Sequence, residues 1–450
     1  MNLTLANLFK IKEIRNKILI TLGLLLVYRV GSFIPLPGVN FGEALKSLQD
    51  VGGINKLFGM MNVLTGGSLQ SATLFSLGVM PYISASIIFS LLTKAVPALE
   101  KIAKEGQSGQ RRINQYTRLT TVGICLLQSW FVIFGALRVE NSRLLHTGVS
   151  DWFGLYCIIV MVGLTAGTLF IMWLGEQISE HGVGNGISLI IMAGIISNLY
   201  PSMASYLEGF DRGAWQTLLT FLGAWAIAVV AVVYMTKAQR RIPIQNAKHQ
   251  RGRNVYGGER AFLPFKLNQA NVMPIIFASA LLIIPQFLGT ATGITWLEQA
   301  FSSQTSGFWY VLTYTALIFF FAFFWTSMMF QPNEIAKNLQ EQGSFVPGIR
   351  PGRQTAEFLE STMFRITLAG ASFLAVVAII PSFVGASGGG AMDMALLYFM
   401  SGTSILIVVG VALDMVEKLN AMLVMRNYET TMKEGEASAA SGSGWGRRSS

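Results

Sequence analysis

The chain has 450 residues, of which 52% are hydrophobic and only 12% charged, against about a quarter charged in soluble domains. That leaves too little polar surface to cover a soluble fold, so a soluble enzyme is excluded. The formal net charge of +10 lies between apolar runs, where it reads as an orientation signal and not as a nucleic-acid footprint. Cys125 and Cys157 both sit inside apolar runs and cannot build a disulfide framework.

The segment 1–16 sets Leu3, Leu5, Leu8, Phe9, Ile11 and Ile14 among basic residues, which predicts an amphipathic helix lying on the cytoplasmic leaflet. Ten apolar spans follow, near 17–36, 76–93, 116–137, 152–174, 186–206, 214–236, 271–290, 308–330, 364–384 and 394–416, each close to the ~20 residues that cross a bilayer. Lys10, Lys12, Arg15 and Lys17 before the first span imitate a signal peptide. Tyr28, Arg29 and Val30, however, follow where a small-residue cleavage site would stand, so that span is retained. Arg29 itself reads as a side chain snorkelling to the outer interface.

Between the first two spans, residues 62–73 are polar, Gly-rich and too short to cross. They form either an exterior loop or a segment that re-enters the membrane under protein cover. The stretch Glu176 to Asn185 is a helical hairpin with Asn185 as N-cap. Its Gly182, Gly184 and Gly186 resemble a phosphate loop only superficially, because they join two helices. Five spans on each side of the 200–214 loop fit two halves of inverted topology, 17–206 and 207–416, with cytoplasmic loops at 237–269 and 331–362. The tail 417–450 is small and polar towards its end and is expected to be disordered from about Gly435.

Lysine and arginine set the direction. The N-terminus carries four, the loop 94–118 six, 237–266 eight, 337–365 four and the tail from Lys418 five. The alternate loops hold only Lys46, Lys56, Arg138, Arg143 and Arg212, so both termini are cytoplasmic. Inside the spans, carboxylates and histidines of the kind that couple transport to ions are nearly absent. His146, His181 and His249 fall in loops, and Asp414 and Glu417 lie at the cytoplasmic end of the last span. No zinc-spaced histidines, paired acids or nucleophile elbow occur. A secondary transporter of a small solute, built from the same inverted halves, is the rival reading, and the missing intramembrane carboxylates count against it.

Five stretches carry a family likeness: Gly78-Val-Met-Pro-Tyr-Ile-Ser-Ala-Ser-Ile-Ile88, Lys104-Glu-Gly-Gln-Ser-Gly109, Gly182-Val-Gly-Asn-Gly-Ile-Ser188, Tyr256-Gly-Gly258 and Phe345-Val-Pro-Gly-Ile-Arg-Pro-Gly352. In this order the chain resembles the SecY family of channel subunits of the bacterial protein translocase, from roughly residue 10 to residue 430. Gln331-Pro332 departs from the family's Asn-Pro pair. The resemblance implies an all-α integral membrane protein with ten transmembrane helices in two inverted five-helix halves around a central pore, plus a short re-entrant plug helix. It also implies a protein-conducting channel of the bacterial cytoplasmic membrane that is not an enzyme and carries no cofactor. In such a channel unfolded secretory proteins cross and transmembrane segments leave sideways into lipid.

Carried residue by residue, the resemblance assigns Val79, Ile83, Ile187, Ile191, Ile276 and Ile407 to a pore ring. Val79/Ile83 and Ile187/Ile191 are also i,i+4 pairs that stack on one helix face. Asn62, Leu64, Gly66, Gly67, Ser68 and Leu69 become the plug. Ser84, Ser86 and Gln128, facing Ser279 and Ile284, become the lateral gate. Arg251, Arg253, Tyr256 and Arg350 become docking residues for the ribosome and the motor SecA. The other implied partners are the small subunits SecE and SecG, signal sequences, unfolded clients and the bilayer.

Overall fold

The computed structural model describes residues 11–37, 73–133, 153–208, 214–246, 249–251, 254–256, 260–269, 300, 308–387 and 402–442, together with 273–275, 277–278, 281–282 and 285. Helices dominate: α1 (Lys12–Gly31), α2 (Met80–Ala95), α3 (Pro97–Lys104), α4 (Gln107–Val132), α5 (Phe153–His181), α6 (Gly186–Glu208), α7 (Ala214–Lys237), α8 (Phe308–Met329), α9 (Pro332–Glu341), α10 (Arg353–Ser387) and α11 (Gly402–Gly442). Nine of the ten expected spans coincide with one of these helices. The seventh, near 271–290, is described only at its short helical pieces. Gly154–His181, Phe308–Glu341 and Arg353–Ile379 are each long and apolar enough to cross a membrane, and Met80–Thr93 with Pro97–Lys104 make a fourth if that bent pair is one span.

The helices bury one stripe and expose another. On α1 the buried Ile14, Thr21 and Tyr28 recur every seven residues, while Leu19, Leu22 and Leu26 are exposed, as lipid allows. The helix starts at Lys12, earlier than the expected span. Ile14 packs against Val183 and Leu419 inside the protein, so this part of the N-terminal segment is not a leaflet-lying helix. Residues 1–10 lie outside the described residues. One apolar core joins α1, α2, α5 and α6 through Tyr28, Val79, Ile171 and Ile190. Another joins α7, α8, α10 and α11 with Ile275 and Leu282 through Val232, Ile318, Leu374 and Ile405.

Three details go beyond the expectations. First, the 237–269 loop carries strands: β1 (Gln239–Asn246) pairs antiparallel with β4 (Arg260–Lys266), and β2 (His249–Arg251) pairs with β3 (Asn254–Tyr256) between them. Ile242 and Ile244 are buried and alternate with exposed Arg241 and Pro243, the period-two signature of a half-buried strand. Second, α5 runs on to His181, so Glu176, Glu180 and His181 stand on its last turns and not in a loop. Third, the last helix extends to Gly442, past the expected onset of disorder at 435. Glu, Lys, Met and Ala make up eight of residues 429–440, and these favour helix strongly enough to offset the ~1 kcal/mol cost of Gly435.

The α5–α6 hairpin forms as the sequence predicts. Asn185 Oδ1 accepts the backbone N–H groups of Ile187, at 3.1 Å, and Ser188, at 3.4 Å, as an N-cap does. Gly184 holds φ +93, a left-handed conformation suited to glycine. Gly186 approaches α5 so closely that a Cβ there would meet the Gly175 carbonyl oxygen, with Ile178 Cβ at 2.8 Å. Gly186→Ala should therefore lower thermal stability by about 1–3 kcal/mol through overpacking, read as an earlier unfolding midpoint in detergent. Gly223→Ala on α7, where nothing lies within 4 Å, should leave the midpoint unchanged or raise it slightly.

Candidate pore and docking surfaces

Val79 caps the N-terminus of α2, and the Ile83 N–H donates to its carbonyl at 3.0 Å. The residues before it form a buried strap. Leu74 N–H donates to Ile34 O at 2.9 Å, Thr73 bridges Pro35, and the Phe75 ring stacks between Tyr28 and Phe170, each at 6.1 Å. Leu74 also lies against Gly167, where a Cβ would meet its carbonyl oxygen. The strap thus ties the start of α2 to both α1 and α5.

Val79, Ile83, Ile187 and Ile191 belong to one apolar cluster. Ile407 on α11 packs with Ile195 in a neighbouring cluster, and Ile191 and Val411 are common to both. Five of the six expected ring positions are thereby brought into one continuous apolar region drawn from three helices. Ile276 lies outside the described residues. Only Val79 and Ile407 among the five are buried. Ile83, Ile187 and Ile191 keep part of their surface free.

Of the expected lateral gate, Ser84 and Ser86 on α2 are half-buried, and α2 packs against α4, which carries Gln128. Gln128 Oε1 is buried without a hydrogen-bond partner among the described residues. Ser279 and Ile284 lie outside the described residues, as do the expected plug residues Asn62, Leu64, Gly66, Gly67, Ser68 and Leu69.

Some contacts around these positions escape sequence reading. Arg118 on α4 forms a two-pronged ion pair with Glu176 on α5, Nε to Oε1 at 2.9 Å and Nη2 to Oε2 at 2.8 Å. Arg29 does not simply snorkel: its Nη1 donates to Ser197 Oγ on α6 at 3.1 Å, and its guanidinium lies 4.7 Å from the centre of the Phe33 ring. No sequence signal links either pair, because the partners stand far apart along the chain. Among the described residues, no group of His, Cys, Asp and Glu is placed to hold a metal ion.

The two expected docking loops form one module. β5 (Ser344–Phe345) adds to the edge of β1, giving the sheet order β4-β1-β5, and Ser344 Oγ donates to Asn246 Oδ1 at 2.8 Å. Ile242, Phe265, Phe330, Val346, Leu359 and Met363 make its core. Arg251 and Tyr256 sit in the β2–β3 ladder, opposite Asn254 and His249, while Arg253 lies outside the described residues. Pro347 and Gly348, with Gly348 at φ +86 and Ile349 N–H donating to Val346 O at 3.1 Å, make a type II turn. Arg350 follows it, exposed, its carbonyl accepting from Thr355 Oγ1 at 2.9 Å. Arg353 is instead paired with Glu357 on α10 at 3.0 Å.

Residues 73–416 match the model of the family described as SecY. The chain is 41% identical over 434 residues to the protein translocase subunit SecY of Streptomyces galbus, covering 94% of this chain and 98% of that protein. It is 40% identical over 429 residues to the subunit of that name in Escherichia coli strain K12, covering 94% of each. Among solved structures, one concerning the SecY plug domain and the closed translocation channel aligns over 94% of this chain with TM-score 0.61 at 19% identity. Sec61 in the canine ribosome-channel complex aligns over 94% with TM-score 0.56 at 17% identity. These two share the fold. Matched by the family model over most of its length and 40% identical to relatives that it covers almost end to end, the chain belongs to the SecY family.

Proposed function

We propose that this membrane protein is the channel through which unfolded secretory polypeptides cross the bacterial cytoplasmic membrane, and from which apolar segments pass sideways into lipid. The observation that carries the reading is the apolar convergence of Val79, Ile83, Ile187, Ile191 and Ile407 from three helices. Branched side chains with part of their surface free can close on one another at rest and around a threaded chain in transit. A narrow apolar neck of this kind resists wetting by water and ions. Ile276 completes the ring from the seventh span.

The seam between α2 and α4 on one side and the seventh and eighth spans on the other opens for signal sequences. Ser84, Ser86 and Gln128 stand on one side of it and Ser279 and Ile284 on the other, and the polar side chains among them hold it through hydrogen bonds of about 1 kcal/mol each, weak enough to yield. The cytoplasmic module is the landing surface for the ribosome and for SecA, whose ATPase supplies the energy. SecE and SecG flank the channel, and both termini are cytoplasmic, in keeping with the distribution of Lys and Arg. The channel subunit itself performs no chemistry.

Residues 62–72 act as the plug that seats under the ring. Thr73 is excluded from it, since Thr73 is fully buried and bridged to Pro35. Deleting 62–72 should leave a folded channel with raised resting ion leak, measured in planar bilayers. Loss of the protein from the membrane would show that the segment is structural. The overall reading is tested by proteoliposomes that take up an unfolded secretory protein in the presence of SecA and ATP. Uptake of a small solute without polypeptide transport would favour the carrier instead.

A further inference from the structure

Helix α6 carries Ile187 and Ile191, and α1 holds it at two points that bracket them. At the inner end, the Val183 N–H in the hairpin donates to Thr21 Oγ1 at 3.0 Å. At the outer end, Arg29 Nη1 donates to Ser197 Oγ at 3.1 Å. Thr21 and Arg29 lie eight residues apart on α1, or about 12 Å along the axis. Leu24, Leu25 and Tyr28 fill the space between them with apolar packing into the same cluster as Leu189 and Ile190.

The chemistry of the two hydroxyls makes these bonds specific. Thr21 Oγ1 donates its own proton to Lys17 O at 2.8 Å, and Ser197 Oγ donates to Gly194 O at 2.9 Å. Each hydroxyl has thus spent its single donor inside its own helix and is left to accept. Thr21 receives a backbone N–H and Ser197 receives a cation, so neither contact can reverse direction. Gly182 beside the inner bond is so close that a Cβ would meet Thr21 Oγ1, which keeps the hairpin seated. In a low-dielectric surrounding, a cation bonded to a hydroxyl is held more tightly than in water.

We propose that Thr21 and Arg29 are positioning residues: together they fix α6 against α1 and so set where Ile187 and Ile191 stand in the ring. The proposal rests on the ring reading for its functional consequence but not for its geometry. Spin labels at Leu22 and Ile196, both exposed, report the α1–α6 separation directly in the full-length channel reconstituted in lipid. Single-channel recording reports the seal.

Thr21→Val with Arg29→Leu should broaden the α1–α6 distance distribution severalfold and raise resting ion leak. Thr21→Ser, which keeps the hydroxyl, should restore the parental distribution at the inner point. Arg29→Leu and Ser197→Ala should be non-additive, since either one abolishes the same bond. If Thr21→Val with Arg29→Leu fails to accumulate in the membrane, the single variant Ser197→Ala, which removes the acceptor for Arg29 and only a bond within α6 besides, still reads the outer point. An unchanged distance distribution in a folded double variant overturns the proposal, and so does full additivity of Arg29→Leu with Ser197→Ala. A broadened distribution without added leak keeps the clamp and sinks the ring assignment.

Discussion

Replacing Ile83 and Ile191 together with glycine should raise the resting ion conductance of the reconstituted channel severalfold while leaving a folded protein in the membrane. The two side chains come from different helices, α2 and α6, yet share one apolar cluster, and both retain exposed surface. Removing them therefore widens and wets the neck more than it hollows the core. Ile190, adjacent in sequence but fully buried, provides the contrast. Ile190→Ala should cost about 2–5 kcal/mol in packing and lower abundance, with little change in the conductance of the channels that remain. Unchanged conductance in the double glycine variant removes Ile83 and Ile191 from the seal.

Arg350→Glu should slow SecA-driven translocation by about tenfold, equivalent to ~1.4 kcal/mol, without lowering channel abundance. The residue stands exposed between Gly348 at φ +86 and Gly352 at φ +100. The turn before it and the Thr355 hydroxyl on its carbonyl fix the backbone, so its guanidinium fork is presented with less ordering cost than a flexible lysine would incur. Arg353→Glu should do much less, because Arg353 is engaged with Glu357 one helical turn along, and exposed pairs of that kind contribute about 0–1 kcal/mol. Equal effects of the two substitutions would reduce the surface to bulk electrostatics. No effect from either would remove the turn from the docking site.

What the sequence made legible follows from which interactions are local. Nine of the apolar runs long enough for a bilayer and the Asn185 cap are written locally and appear where expected, and the Pro347-Gly348 turn is equally local. The Ile242/Ile244 alternation is equally local, but it is short and lies among eight basic residues that mark the segment as a cytoplasmic loop. Its pairing with β5 could not be read at all, since Asn246 and Ser344 are joined only by the fold. The same holds for the pairs Arg118–Glu176 and Arg29–Ser197, whose partners lie 58 and 168 residues apart. Arg29 is instructive: seen alone in a span it suits snorkelling, and only the neighbouring helix shows where its donors go. The ring positions came from family likeness and not from pattern, because Ile and Val are ordinary residues in any span.

The buried strap at 73–79 bears on how the chain is made. Phe75 needs the Phe170 ring and Leu74 needs the bare backbone of Gly167, and both lie nearly a hundred residues further along. During synthesis at about 5–20 residues per second, α1 and α2 must therefore wait some 5–20 s in the bilayer with the strap's seat unbuilt. Over that interval residues 73–79 can keep their own turn bonds and those to Ile34 and Pro35, but not their packing on α5. The nascent protein thus passes through a window in which it is itself a half-finished client, dependent on whatever holds newly inserted helices until α5 arrives.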